Sequence, residues 1–373
     1  MRVWSLTAAM TFATTIVLQL SGCGGGGAGS PASPSTGAQY AYVANSNSNN
    51  ISAYSVNPAT GALTQVAGSP FAAGTNPNFV AVNAAGTYAF VANYGSNNVS
   101  AYSINSATGA LTQVTGSPFA AGTNPNSVIV NAAGTYAFVA NSGDNNVSVY
   151  GINSATGALT QVAGSPFAAG STPTSVVVNT AGTYAFVANY GNSNVSVYSI
   201  NSTTGALTQV TGSPFAAATG PYSVAVNAAG TYLYVANPLS NNVSVYGINL
   251  ATGALTQVAG SPFAAGNGPN FVVVNTGGTY AFVVNEGVDN ISVYSVNPAT
   301  GALTQVAGSP FAAGSTPTSF VVNTAGTYAF VANDGNSNVS VYSINSTTGA
   351  LTQVTGSPFA AGTGPRSVVS VSF

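Results

Sequence analysis

The chain has 373 residues, 46% of them hydrophobic but only 2% charged, with two cations, four carboxylates and no histidine. That balance argues against nucleic-acid binding, which needs clustered Lys and Arg for the phosphates. The single cysteine, Cys23, leaves no intrachain disulfide, and with no histidine present it removes His/Cys zinc sites and the usual catalytic triads.

The first segment, Met1 to Leu20, carries one charge, Arg2, and then a mostly apolar run ending in Val17-Leu18-Gln19-Leu20. A charged start, an apolar core and small residues form a secretory signal. Thr and Gln interrupt the run and it is short for a membrane span. Leu20-Ser21-Gly22-Cys23 resembles the lipobox of bacterial lipoproteins. The resemblance implies a signal peptide over residues 1–22, cleavage before Cys23 and lipidation of Cys23. A spare thiol beside a plain secretory cleavage site is the alternative. In lipoproteins of this type a residue other than Asp after the cysteine, here Gly24, implies the outer membrane. Residues 23–37, rich in Gly, Ser and Pro, form a flexible tether. The expected setting is the cell envelope, lipid-anchored.

From residue 38 to residue 373 the chain repeats itself. Thr-Gly-Ala-Leu recurs every 48 residues, from Thr60 to Thr348, and Gly-Ser-Pro-Phe keeps the same step from Gly68 to Gly356. An aromatic-Val-Ala/Val-Asn tetrad follows it from Tyr42 to Phe330. One unit, Pro77 to Asn124, contains four strand-like segments. Phe79-Val80-Ala81-Val82 is an apolar run. Thr87 to Ala92 is rich in β-formers. Val99 to Ile104 alternates, and Leu111-Thr112-Gln113-Val114 is the outermost strand. Asn93 to Asn98 makes a hairpin in which Gly and Asn supply positive φ. Pro118 cannot continue a ladder, and Phe119 is expected to wedge between neighbouring sheets. These features predict an all-β fold, a seven-bladed β-propeller with four antiparallel strands per blade. A β-solenoid competes, but each unit holds hairpins rather than one coil.

The repeat starts at a second strand, Tyr40 to Ala44, and ends with an extra first strand, Pro365 to Phe373. The C-terminal strand should therefore join the N-terminal blade and close the ring. Two units, Gly164 to Thr211 and Gly308 to Thr355, differ only at Val176/Phe320 and Tyr190/Asp334. This implies growth by duplication with little tailoring of single blades.

Antiparallel order puts the start of each first strand and each second-to-third hairpin on one face. Variation concentrates there. The residue after the lead-in proline is Asn78, Asn126, Thr174, Tyr222, Asn270, Thr318 or Arg366, and the hairpins carry Asp144, Glu286, Asp289 and Asp334. This rim is the candidate ligand-binding site. Its competing reading is a set of solvated turns free to vary. Asp334-Gly335-Asn336-Ser337-Asn338 spaces oxygens as a calcium loop does but lacks the distal Glu, so it reads as a turn; no metal or cofactor is expected. Only a carboxylate could act as a base, with Arg366 or backbone amides as electrophilic help.

The repeated Pro-x-x-φ-x-Val-Asn, Gly-Thr-Tyr-x-aromatic-Val-x-Asn and Asn-φ-Ser-x-Tyr strings resemble the seven-bladed propeller lactonase family. That family includes 6-phosphogluconolactonases, carboxymuconate-cyclising enzymes and related YVTN-type surface propellers. Its activity motif resembles Gly-Pro-Arg-His followed by Asn-Glu. Here the stretch is Gly268-Pro269-Asn270-Phe271, then Val284-Asn285-Glu286. The resemblance makes Glu286 the candidate base, with Asn270 and Phe271 where Arg and His would stand, and Arg366 as a candidate anion stabiliser two blades on. Two functions follow. One is a non-catalytic envelope scaffold, monomeric, whose rim binds a glycan or an envelope protein through Tyr94, Tyr190 and Tyr222 beside Asn and Thr donors. The other is a lactone hydrolase using Glu286.

Overall fold

A computed structural model of the chain describes residues 37–373. The signal peptide, Cys23 and all of the tether but its last residue lie outside the described residues. Alternating strand and turn signals become seven antiparallel sheets. Blade 1 comprises Pro77–Val82, Tyr88–Asn93, Asn98–Ile104, Leu111–Gln113 and Phe119–Ala120. Blades 2 to 6 repeat this arrangement. Blade 7 takes its inner strand, Pro365–Ser372, from the C-terminal end, and its others from Gln39–Asn45, Asn50–Val56, Leu63–Gln65 and Phe71–Ala72. Gln39 pairs with Ser372 and Ala44 with Ser367, so the ring closes as the repeat frame predicts. Each inner strand packs against the next around the circle. The fold is a seven-bladed β-propeller.

The outermost of the four strand positions is divided. In blade 1 both Leu111–Gln113 and Phe119–Ala120 pair with Asn98–Ile104, giving five strands per sheet. Gly116, at φ 86°, and Pro118 break the ladder between them. Ser117 repairs the gap: its Oγ accepts the Ala101 N–H at 2.9 Å. All seven Gly-Ser-Pro-Phe serines do the same. Phe119 packs beside Phe90 and Val99 of blade 1 and Val128 and Tyr150 of blade 2, the expected wedge.

The repeated motifs meet at the seams. The Thr-Gly-Ala-Leu glycine faces a tyrosine ring of the preceding blade; a Cβ on Gly157 would lie 2.4 Å from Tyr88 Cδ1. The tyrosine of Asn-φ-Ser-x-Tyr donates its hydroxyl to a carbonyl on the preceding blade's outer edge. Tyr102 reaches Ala72 O at 2.7 Å and Tyr198 reaches Ala168 O at 2.6 Å, and all seven blades repeat the bond. The buried Asn93 donates to Asn98 Oδ1 and Ser100 Oγ and accepts the Gly74 N–H. In the blade 1 hairpin, Asn97 supplies the positive φ. Gly95 does not. Its lack of a side chain allows close approach instead, since a Cβ would sit 3.1 Å from Thr75 Cγ2.

Blade 4 is irregular. Its inner strand is only Ser223–Val226, and Ala218 stands where the other blades have glycine. In those blades a Cβ would sit about 2.5–2.7 Å from the buried Asn. Asn237 keeps the usual bonds to Asn242 Oδ1 and Ser244 Oγ and adds one to Val235 O. Its Oδ1 is buried without a protein partner, as are those of Asn45, Asn141 and Asn333 in blades that have the glycine.

Candidate functional site

The rim residues are delivered by a backbone device absent from the sequence reading. In blade 1, Pro77 pairs with Asn93 and Phe79 with Ala92, which leaves Asn78 unpaired in a β-bulge. The same shift frees Asn126, Thr174, Asn270, Thr318 and Arg366. A bulge re-aims one side chain away from the ladder. Here it turns six side chains to the channel mouth. Tyr222 gets there differently, just before its shortened strand, with its N–H bonded to Ala236 O at 2.9 Å. All seven line one small cavity together with Glu286.

Two arcs of hydrogen bonds run around this cavity. Asn78 Nδ2 donates to Asn126 O at 2.7 Å, Asn126 Nδ2 to Thr174 O at 2.8 Å, and Thr174 Oγ1 to Tyr222 O at 2.7 Å. Opposite, Asn270 Nδ2 donates to Pro317 O at 3.2 Å and Thr318 Oγ1 to Pro365 O at 2.9 Å. The arcs end at Tyr222 and Arg366, whose long side chains project into the mouth instead of clasping the next blade.

The charges are engaged rather than drifting in solvent. Glu286 Oε2 accepts from Asn270 Nδ2 at 2.9 Å. Arg366 pairs with Asp334 at 3.2 Å. Asp144 Oδ2 accepts the Thr123 N–H at 2.7 Å, a bond that holds its carboxyl below the usual value. Asp289 Oδ1 accepts the Thr316 N–H at 2.7 Å. The near-identical blades 3 and 6 are therefore tailored after all. Tyr190 of blade 3 packs edge-on against Tyr222 of blade 4, centroids 6.2 Å apart, while its counterpart Asp334 binds Arg366 of blade 7. Phe320, the other difference, stacks on Phe282 at 4.8 Å.

Three spaces, each sharing lining residues with the next, follow one another. The outer vestibule, about 410 Å³, is lined by Tyr94, Tyr190 and Tyr222 with Asn, Ser and Thr side chains and Arg366. Below it lies a neck of about 60 Å³ formed by the seven rim residues, Glu286, Phe79 and Phe271. Beneath the neck a channel of about 340 Å³ is walled mainly by valines, with Ile129, Phe79, Phe271 and Phe320 among them. Burial, above all, holds the Tyr222 hydroxyl above the ordinary tyrosine range; Asn126 and Arg366 pull it down, and Glu286 and Tyr94 push it up. Asn270 Oδ1 is a buried acceptor without a protein partner. Among the described residues no cluster of His, Cys, Asp and Glu could hold a metal, and no helix is long and apolar enough to cross a membrane.

The family model described as lactonase, 7-bladed beta-propeller, matches residues 33–123, 118–274 and 175–369. No curated protein matches in sequence. A proposed 6-phosphogluconolactonase from Bacteroides uniformis is similar in structure, with TM-score 0.79 and 21% identity over 90% of this chain and 100% of its own. A proposed 6-phosphogluconolactonase from Bacteroides fragilis has TM-score 0.78 and 21% identity, covering 91% and 100%. The periplasmic gluconolactonase of Pseudomonas aeruginosa has TM-score 0.76 and 21% identity, covering 90% and 99%. At this identity the likeness is one of fold.

Proposed function

The chain belongs to the seven-bladed β-propeller lactonase family, and from that premise we propose that it is a non-catalytic member that binds an uncharged, hydroxylated ring, a sugar unit of a glycan, in its vestibule. The observation that carries this is the difference in size and chemistry between the two upper spaces. The vestibule, at about 410 Å³, falls in the range of ordinary ligand pockets. It offers three tyrosine faces for stacking and uncharged donors and acceptors for hydroxyls. The neck that holds Glu286 is about 60 Å³, room for a water or two rather than a ring. Arg366, the cation at the mouth, is committed to Asp334, which leaves little to attract a phosphorylated ligand.

The test is calorimetric titration of residues 37–373 with methyl β-glucoside and oligosaccharides, beside Tyr190→Ala and Glu286→Gln. Binding that Tyr190→Ala weakens tenfold or more and Glu286→Gln leaves nearly unchanged supports the proposal. Saturable binding that ignores the tyrosine would sink it.

A second reading has one observation in its favour: Glu286 and Arg366 line the same cavity. The structurally similar Pseudomonas aeruginosa protein is named a gluconolactonase. In this reading Glu286 takes a proton from water as the oxygen attacks a lactone carbonyl, and Arg366 leaves Asp334 to meet the oxyanion. Turnover of neutral or phosphorylated lactones that disappears in Glu286→Gln would establish it.

The anchored setting belongs to the proposal. Cys23 carries lipid, and residues 23–37 hold the propeller off a bacterial outer membrane as a monomer, within reach of envelope glycans or glycan-bearing proteins. Incorporation of labelled palmitate should be lost in Cys23→Ser, and that variant should leave the membrane fraction. Continued labelling without the thiol would count against the anchor.

A further inference from the structure

Below the neck, the channel wall is more apolar than the mouth requires. Half-buried Ile129, Val177, Val273, Val321 and Val369 face one space of about 340 Å³. Inner strands of a propeller present an unpaired backbone edge, which should make such a channel polar. In five blades that edge is capped near its top: Val80, Val176, Val224, Val272 and Val368 each donate their N–H to a serine Oγ of the preceding blade. In blades 1 and 5 the serine is replaced by Phe79 and Phe271, which line both neck and channel. A wall this apolar favours an apolar guest over water. The neck shares Asn78, Asn126, Thr174, Tyr222 and Arg366 with the vestibule, and Phe79 and Phe271 with the channel. It is too small for a ring, so only an unbranched chain is a candidate to pass it.

We propose that the channel binds the aliphatic chain of an amphiphile whose uncharged, hydroxylated ring sits in the vestibule. This rests on the vestibule reading above and specifies its ligand: a glycolipid-like molecule rather than a free sugar. The four residues of each inner strand at this level span about 10 Å at the usual strand rise, which suits a medium-length chain. Each methylene taken from water into the channel should tighten binding roughly fourfold.

The experiment is titration of residues 37–373, whose ring is closed by its own strands, with methyl, hexyl and octyl β-glucosides below their micelle concentrations. Val177→Phe and Val273→Phe, which fill the channel, are measured beside them and checked for folding by circular dichroism. The expected result is a steady gain in affinity with chain length that both variants abolish while methyl glucoside binding persists. Equal affinity for methyl and octyl glucosides overturns the channel proposal and leaves the vestibule reading intact. A chain-length gain that survives in both folded variants also overturns it, because the chain then lies elsewhere. Failure of every glucoside to bind defeats the vestibule reading itself.

Discussion

The seams between blades and the mouth of the channel are written in the same 48-residue repeat, yet they tolerate change very differently. At a seam, a side chain meets backbone: tyrosine hydroxyls reach carbonyls on the preceding blade, and other tyrosine rings cover glycines on the following one. Both partners must recur in every blade, so both motifs do. At the mouth, the variable residue occupies a bulge and is excused from the ladder. Asn, Thr, Tyr or Arg can stand there without disturbing a strand pair. Identity in one region and variety in the other thus follow from how each side chain is held.

The largest effect should come from breaking the seam that closes the ring. Deleting residues 366–373 removes nearly all of the inner strand that pairs with Gln39–Asn45. Calorimetry should show loss of the cooperative melting transition; a truncated protein that melts normally would contradict the closure. Alkali should attack all seams together. Burial, first, raises the pKa of the seam tyrosines Tyr54, Tyr102, Tyr150, Tyr198, Tyr246, Tyr294 and Tyr342 from 10.0, against a smaller lowering by a neighbouring serine. A raised folded-state value gives stability that is full below pH 10 and lost as pH rises through the folded value. With no histidine or lysine to titrate, the melting temperature should stay flat from about pH 6 to 9 and fall above pH 10.

Gly157→Ala tests a single seam. It combines a positive φ of 73° with a Cβ 2.4 Å from the Tyr88 ring, and should cost about 3 kcal/mol in denaturant unfolding. The tyrosine-to-phenylalanine change should have opposite signs at two positions. Tyr198→Phe loses its bond to Ala168 O and should destabilise by about 1 kcal/mol. Tyr234→Phe removes a buried hydroxyl that has no partner and should stabilise by about 1 kcal/mol. The smallest effect on stability is expected at the boundary between the two regions. Ala218→Gly gives blade 4 the glycine of the other six, three of which donate its N–H to the buried Asn, and should change net stability by less than about 1 kcal/mol. Its consequence should appear at the mouth, as a crystal structure with a longer inner strand in blade 4 and Tyr222 drawn away from Tyr190. An unmoved Tyr222 would show that Ala218 does not set its position.

Much of the fold was legible because each motif is local and periodic. Gly-Ser-Pro-Phe announced a stop to the ladder and a wedge between sheets, and the frame of the repeat announced closure. That the edge breaks into two strands with a serine patch was not legible, since nothing in one unit tells which N–H its hydroxyl accepts. Position after the lead-in proline singled out the rim residues as a set, and Tyr94, Tyr190 and Tyr222 were expected to offer stacking surface beside Asn and Thr donors. The bulge that aims six of the seven rim residues was hidden, because one extra residue in a strand leaves no composition signal. The pairing of Arg366 with Asp334 and the lock of Glu286 on Asn270 were hidden too, since the first crosses between blades and the second depends on where the bulge aims Asn270.

By itself, the sequence determined the number of blades, their strand order, the closing strand and the face on which variation gathers. Those are consequences of period and alternation, which each repeat carries in full. Only the tertiary structure decided how wide the mouth is, which charges are spent on holding backbone, and that a valine-walled channel lies beneath a narrow neck. These depend on distances between blades, set by how seven twisted sheets pack around an axis.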